Sequence, residues 1–133
     1  MTSDRVAHTL ATSEHLPKSA GPYSPGVGFE RLVFVSGQDA ADPATGKVVA
    51  ATVEVQTEQV LKNVQAILEA SGSSLCYVLR CGVYLTDIGE FEKMNDVYER
   101  MFDNHRPART TVQVAALPSP EMKVEIDAVA YVP

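Results

Sequence analysis

The chain has 133 residues, of which 45% are hydrophobic and 21% charged, and its formal net charge is −6 at pH 7. A chain of this length buries about two thirds of its unfolded surface, so we expect one globular domain over residues 1–133 that needs no metal or disulfide to fold. The 11 basic residues are scattered from Arg5 to Lys123. Nucleic acid is not an expected partner, because its binding normally requires a clustered basic face.

No apolar run approaches the ~18 residues of a transmembrane helix, and the N-terminus lacks the apolar core of a signal peptide. We therefore expect a soluble cytoplasmic protein with no membrane partner. Cys76 and Cys81 would point to opposite faces of one strand, about 16 Å apart, and are predicted to be free thiols. His8, His15 and His105 are far apart and no CxxC or HxxxH spacing occurs, so neither a metal nor another cofactor is predicted.

The N-terminal third is predicted to contain little regular structure. The first 20 residues are polar, although the pattern allows a short strand near residues 6–10, and residues 21–26 form a loop by their glycine and proline content. Residues 32–36 are a short apolar run typical of a buried strand. Residues 42–46, Asp-Pro-Ala-Thr-Gly, then supply a turn.

Two amphipathic helices and a strand follow. Apolar residues recur every three or four positions over residues 52–70, which predicts a helix that ends at Gly72. Residues 75–86 are rich in Val, Leu and Tyr and are predicted to form a strand. A second helix is predicted from Phe91 to Phe102, ending before a proline, and its apolar face consists of Phe91, Met94, Tyr98, Met101 and Phe102, with Asn95 on the same face.

The last two predicted strands, residues 109–116 and 123–132, alternate in polarity. One face carries Thr110, Val112 and Val114 in the first strand and Val124, Ile126, Ala128 and Ala130 in the second. We expect this face to pack under the helices. The opposite face is then expected to carry both Arg109 and Glu125, which need partners if buried.

These elements predict an α+β fold, a two-layer sandwich with a mixed sheet and both helices on one face. The other face of the sheet is part apolar, with Leu79 and Val83 or the alternate pair Val78 and Tyr84 contributing. We expect a second subunit to cover it, with sites between chains.

Nine short segments, in order and spacing, resemble the RidA family, also called YjgF or UK114. They are Gly21-Pro-Tyr-Ser24, Ser36-Gly-Gln38, Asp42-Pro-Ala-Thr-Gly46, Gln56-Thr57, Asn63, Asn95-Asp-Val-Tyr98, Pro107-Ala-Arg109, Leu117-Pro118 and Val124-Glu-Ile126. The resemblance implies a chorismate-mutase-like subunit that assembles as a homotrimer with pockets between neighbouring subunits. It also implies hydrolysis of reactive enamines and imines, such as 2-aminoacrylate or 2-iminobutyrate, to 2-oxo acids and ammonia, with no cofactor.

Under this resemblance, Arg109 corresponds to the arginine that binds the substrate carboxylate, a role that suits the planar, permanently charged guanidinium. Glu125 corresponds to the acid that positions the attacking water and transfers a proton. Further substrate-binding residues implied for the pocket wall are Tyr23, Ser36, Gly37 through its backbone amide, Phe91, Asn95 and Thr111.

Each site residue also has a plain structural interpretation. Arg109 could form a strand-edge ion pair, and the other residues could be a turn aromatic at Tyr23, a strand-end cap at Ser36, a core side chain at Phe91 and a helix-face hydrogen bonder at Asn95.

Three positions depart from the family pattern. Pro25-Gly26 stands where Gln-Ala is more usual, Asp39 where an apolar residue is typical, and Thr111 where a cysteine or another small residue occurs. The departures bear on substrate preference and leave Arg109 and Glu125 in place.

Other functions remain open at this stage. An endoribonuclease, an activity attached to the L-PSP name of this family, is disfavoured by the charge of −6 and by the absence of a histidine pair. A non-catalytic trimer that binds a small acid or acts like a chaperone needs Arg109 but not Glu125. A deaminase acting on a different imine is the third alternative.

Overall fold

The computed structural model describes His8, Thr9 and residues 16–133. Within these residues, two α-helices and six strands occur in the order β1 (His8–Thr9), β2 (Gly26–Phe29), β3 (Leu32–Gln38), α1 (Val53–Ala70), β4 (Val78–Leu85), α2 (Phe91–Phe102), β5 (Ala108–Gln113) and β6 (Val124–Tyr131). The strands form one mixed sheet in the order β1-β2-β3-β6-β4-β5, in which only β4 and β5 are parallel. The two helices pack on one face, so the predicted α+β two-layer sandwich is confirmed.

Both predicted helices are confirmed. The side chain of Thr52 caps α1 by accepting a hydrogen bond from the N–H of Val55 at 3.3 Å. The helix ends at Ala70, two residues before Gly72, whose φ of +83° is a conformation that glycine adopts without strain. No helix in the described part of the chain is long and apolar enough to cross a membrane.

The core lies between the helices and one face of the sheet, here called the helix face. Every second residue of β6, from Val124 to Ala130, is buried there as the alternation predicts. These side chains join those of β3, β4 and both helices in one contiguous apolar cluster, whose largest fully buried members include Leu61, Ile67, Leu68, Leu85, Met94 and Ile126. The other side of the sheet is here called the open face.

The sequence did not predict β2. Its first residue closes the predicted loop at 21–26, and glycines at 26 and 28 weaken the strand signal. Gly26 and Gly28 pair with Val35 and Val33 of β3, and a two-residue turn joins the strands because Phe29 pairs with Leu32. Of the strand allowed near residues 6–10, only His8 and Thr9 lie within the described residues, where they pair with β2.

The strand predicted over residues 75–86 begins instead as a 3-10 turn, Leu75–Tyr77, and β4 starts at Val78. A bulge between Val78 and Arg80 breaks the alternation. Of the four residues considered for the apolar surface, Val78 and Val83 are therefore buried, Leu79 is exposed and Tyr84 is partly exposed. Cys76 is exposed in the turn and Cys81 is buried in β4, and both are free thiols as predicted.

The predicted orientation of β5 is wrong. Cys81 of β4 pairs with Arg109 on one side and with Ala128 of β6 on the other. Paired residues share a face, and Ala128 is buried in the core, so Arg109 lies on the helix face. Thr110 and Val112 are exposed on the open face. The physical reason is that β5 is an edge strand, where apolar side chains need not face the core.

Candidate functional site

Arg109 lies beside α2, where its guanidinium contacts two aromatic rings. The guanidinium carbon is 4.7 Å from the ring centroid of Tyr98 and 5.5 Å from that of Phe91, within the range of cation–π attraction. Within the described residues, the ion pairs join Arg100 to Glu58 and Arg106 to Glu99, so no carboxylate there neutralises Arg109. The strand-edge ion pair, which was the alternative interpretation of Arg109, is absent from this part of the chain.

A cavity of about 300 Å³ opens beside this guanidinium. Its lining includes Asn95, Tyr98, Glu99, His105, Arg106 and Arg109. This volume is at the lower end of the range for small-molecule sites. Two of the predicted site residues, Arg109 and Asn95, therefore share one cavity, with Phe91 stacked against the first of them.

Two buried groups lie under Arg109 and stay neutral near pH 7. Burial raises the pKa of the Cys81 thiol to about 11 and raises the pKa of the Tyr98 hydroxyl further above its ordinary value. A thiolate at Cys81 is therefore disfavoured, and the Tyr98 ring remains an uncharged platform for the guanidinium. Thr111, in register with Val83, has a buried hydroxyl with no hydrogen-bond partner among the described residues.

Glu125 lies on the open face of β6 against a bulge of β3. The bulge lies between Val35 and Gln38 and brings Gly37 over the carboxyl group, so that a Cβ at position 37 would stand 2.8 Å from Oε1 of Glu125. Burial is the largest cause of the raised pKa of Glu125, and the negative charges of Asp39 and Asp127 raise it further. A raised pKa favours the protonated form of the carboxyl group, which can donate a proton.

The remaining predicted residues surround Glu125. Tyr23, Gly37, Asp39 and Glu125 line a second cavity of about 110 Å³. Ser36 fixes the loop before β2, since its hydroxyl donates to the carbonyl oxygen of Ser24 at 2.6 Å. That hydroxyl keeps lone pairs for a ligand, but its proton is already donated.

The predicted residues thus form two groups. Arg109, Phe91, Asn95 and Thr111 belong to the helix face and α2, whereas Tyr23, Ser36, Gly37 and Glu125 belong to the open face. The expectation that Arg109 and Glu125 share one face is wrong for a single chain, because β5 presents its faces in the opposite sense to the predicted one.

Three residues near the site were not predicted as part of it. Tyr98 was assigned only to the helix core, although it lies seven positions, or two turns, after Phe91 and on the same side of α2. Asp127 lies two positions after Glu125 and so shares its face of β6. Tyr84, the cross-strand neighbour of Glu125, was expected only as an alternative member of an apolar surface.

Comparison with known proteins identifies the family. The family described as Endoribonuclease L-PSP matches residues 13–132. The chain therefore belongs to this family, which is the YjgF/RidA family, and the resemblance inferred from the nine segments is confirmed.

Relatives in this family cover nearly the whole chain. Protein DfrA of Myxococcus xanthus is 46% identical over 128 residues, covering 95% of this chain and 97% of DfrA. The 2-iminobutanoate/2-iminopropanoate deaminase of Homo sapiens is 38% identical over 128 residues, covering 96% of this chain and 92% of the human protein. The crystal structure of E. coli TdcF with bound serine superimposes with a TM-score of 0.86 at 38% identity, covering 93% of this chain and 98% of TdcF. The family thus includes deaminases of small reactive intermediates and a member that binds a small amino acid.

Proposed function

We propose that this protein hydrolyses small 2-imino acids and their enamine tautomers to 2-oxo acids and ammonia, in a site completed by a second copy of the chain. The observation that carries the proposal is the guanidinium of Arg109, which is supported by two aromatic rings at a cavity and is not neutralised by any described carboxylate. The deaminases among the relatives support the reaction class.

Arg109 is proposed to bind the substrate carboxylate. Guanidinium can donate two parallel hydrogen bonds to a carboxylate, and stacking on Tyr98 and Phe91 fixes the plane of the fork before a ligand arrives. Preorganisation of this kind lowers the entropic penalty of binding. The serine-bound structure of TdcF is consistent with a small carboxylate ligand in this family.

Glu125 is proposed to transfer the protons. The raised pKa of Glu125 favours its protonated form, and in the proposed reaction this form gives its proton to the β carbon of an enamine to form an iminium ion. The resulting carboxylate accepts a proton from water as the water oxygen bonds to the imine carbon. Glu125 then protonates the nitrogen of the carbinolamine, the C–N bond breaks, and the hydroxyl proton returns to Glu125 as the 2-oxo acid and ammonia form.

A second copy is needed because one chain holds the two groups on opposite faces of its sheet. The open face around Glu125 exposes apolar side chains that suit an interface, including Phe34 at 45% and Val112 at 40%. A closed ring of copies gives each Arg109 group the Glu125 group of its neighbour. We propose the homotrimer that the family resemblance implies.

The activity is tested by generating 2-aminoacrylate or 2-iminobutyrate in place with a dehydratase or an amino-acid oxidase and trapping the imine with semicarbazide. Wild-type protein is expected to lower the trapped fraction. Arg109→Ala is expected to abolish this effect, whereas Arg106→Ala is the matched control, because Arg106 lines the same cavity but is paired with Glu99 at 2.9 Å. Folded wild-type protein with no effect on either imine, or full activity in Arg109→Ala, would overturn the proposal.

A further inference from the structure

Three carboxyl groups gather on the open face around the proposed proton-transfer residue. Glu125 and Asp127 are two positions apart on β6, so their Cα atoms are about 7 Å apart by the ~3.3 Å rise per residue. Asp39 follows β3 and lines the same cavity as Glu125. The carboxyl group of Glu125 makes no hydrogen bond within the described residues, whereas those of both aspartates do.

Asp127 is held in place by two donors from β4. Its Oδ1 accepts a hydrogen bond from the backbone N–H of Gly82 at 2.8 Å, and its Oδ2 accepts one from the hydroxyl of Tyr84 at 2.9 Å. Glycine at position 82 leaves room for this arrangement, because a Cβ there would lie 2.6 Å from Oδ1 of Asp127 and would displace the carboxylate. Both contacts use the carboxylate as an acceptor, which is the role of its ionised form.

Asp39 is also held in place by hydrogen bonds, both at its side chain and at its backbone. Its Oδ1 accepts the N–H of Ala41 at 3.0 Å. The side-chain amide of Asn63, which is 1% exposed in α1, donates to the carbonyl oxygens of Asp39 and Ala41 at 3.1 and 2.8 Å. The backbone of Asp39 is therefore tied to α1 through a buried amide, although the residue lies in a loop, and its carboxylate is held by the N–H of Ala41.

We propose that Asp39 and Asp127 are positioning residues: two fixed negative charges that keep Glu125 in its protonated, proton-donating form. The inference rests on the proposed deaminase function and adds to it the residues that set the protonation state of its acid.

The charge balance around Glu125 supports this role. After burial, Asp39 and then Asp127 are the causes that raise the pKa of Glu125. The other titratable groups that face it are Tyr84 across the strand pair and, in the shared cavity, Lys18, Tyr23 and Asp42. Lys18 is exposed, so water screens its charge. A guanidinium brought to Glu125 by a neighbouring copy would favour the ionised form, and the two aspartates oppose that effect.

The test is a direct titration of the Glu125 side chain, followed by the carboxyl carbon resonance of protein with ¹³C-labelled glutamate. Glu125→Gln assigns the resonance. Asp39→Asn and Asp127→Asn each keep an oxygen acceptor for their backbone N–H donor and remove one negative charge, so each is expected to move the midpoint of Glu125 to lower pH. The basic limb of the pH profile of kcat/KM should move in the same direction, since the proton-donating form is then lost earlier.

Asp42→Asn is the matched control. Asp42 lines the same cavity and its Oδ1 also accepts a loop N–H, that of Ala44 at 2.8 Å, but its charge is not among the causes that raise the pKa of Glu125. A midpoint that moves in neither aspartate variant, or that moves as far in Asp42→Asn, overturns the inference. Asp39 lies in a loop and Asp127 in a strand, so one variant still decides the question if the other fails to fold. The titration needs no turnover, and loss of the proposed function is therefore a separate result.

Discussion

Gly37→Ala should impair the reaction while leaving the fold intact. A Cβ at position 37 would stand 2.8 Å from Oε1, 2.9 Å from Cδ and 3.1 Å from Cγ of Glu125. Ordinary van der Waals contact begins at 3.4 Å, so the Oε1 atom must move by about 0.6 Å, the difference between 2.8 and 3.4 Å. The atoms in the way belong to the end of a flexible side chain, so the carboxyl group moves and the backbone does not.

The magnitude follows from the sensitivity of proton transfer to position. A displacement of about 1 Å can lower a rate about 100-fold, so a displacement of about 0.6 Å corresponds to a loss of about 10- to 30-fold. This is about 1.4–2 kcal/mol of transition-state stabilisation, at 1.36 kcal/mol per factor of ten. The free energy of unfolding should change by less than about 1 kcal/mol, because alanine also restricts the unfolded chain.

The assay measures kcat and KM for imine hydrolysis together with urea unfolding for wild type, Gly37→Ala and Gly46→Ala. Gly46 has a φ of +74°, and no atom of the described residues lies within 4 Å of the position that a methyl group would take there, so alanine strains a loop without touching Glu125. We expect kcat to fall in Gly37→Ala with little change in KM, and to stay unchanged in Gly46→Ala. Wild-type kcat in Gly37→Ala would refute the assignment of Glu125 as the proton-transfer residue at this distance.

Two further predictions concern the core and the assembly. Gln56→Ala should lower the free energy of unfolding in urea by about 3 kcal/mol, because the fully buried side-chain amide forms hydrogen bonds with three backbone groups at 2.7–2.9 Å. The control is Gln65→Ala on the exposed side of α1, which should change the free energy of unfolding by less than about 0.5 kcal/mol. Arg109→Ala and Glu125→Ala proteins, unfolded and refolded together in equal amounts, should recover about a quarter of wild-type activity, since about one interface in four then combines intact halves. The double variant refolded with Glu125→Ala should recover none, and activity no higher than that of the separate variants in the first mixture would argue against a shared site.

Periodicity predicted the elements whose burial is one-sided. The repeat of Val60, Leu61, Val64 and Leu68 defines one side of α1, and all four are fully buried. The alternation of β6 was equally reliable because that strand lies between β3 and β4, with the helices on one side only. The strand β2 was missed, because two of its four residues are glycines that pack by their small size and carry no apolar signal.

The sequence indicated candidate residues for a site, but it did not predict where these residues lie relative to one another. The alternation of side-chain directions divides a strand into two sets of side chains, but it does not determine which set faces the core. In β5 the set with Val112 is the more apolar, yet it faces away from the helices. The other set includes Arg109, whose charge is accommodated at the sheet edge by the ring faces of α2. The orientation follows from tertiary contacts with Tyr98 and Phe91, which no pattern within β5 contains.

Opposite placement of Arg109 and Glu125 prevents them from neutralising each other within one chain. An arginine and a glutamate side by side would form an ion pair, and neither would then be free to bind a carboxylate or to donate a proton. In the proposed assembly, the two groups meet again across the interface. The proposed role of the fixed charges of Asp39 and Asp127 is to keep Glu125 protonated there, because a protonated Glu125 does not form an ion pair with the neighbouring guanidinium. The arginine is left to bind the substrate carboxylate, and the acid keeps the proton that the enamine requires.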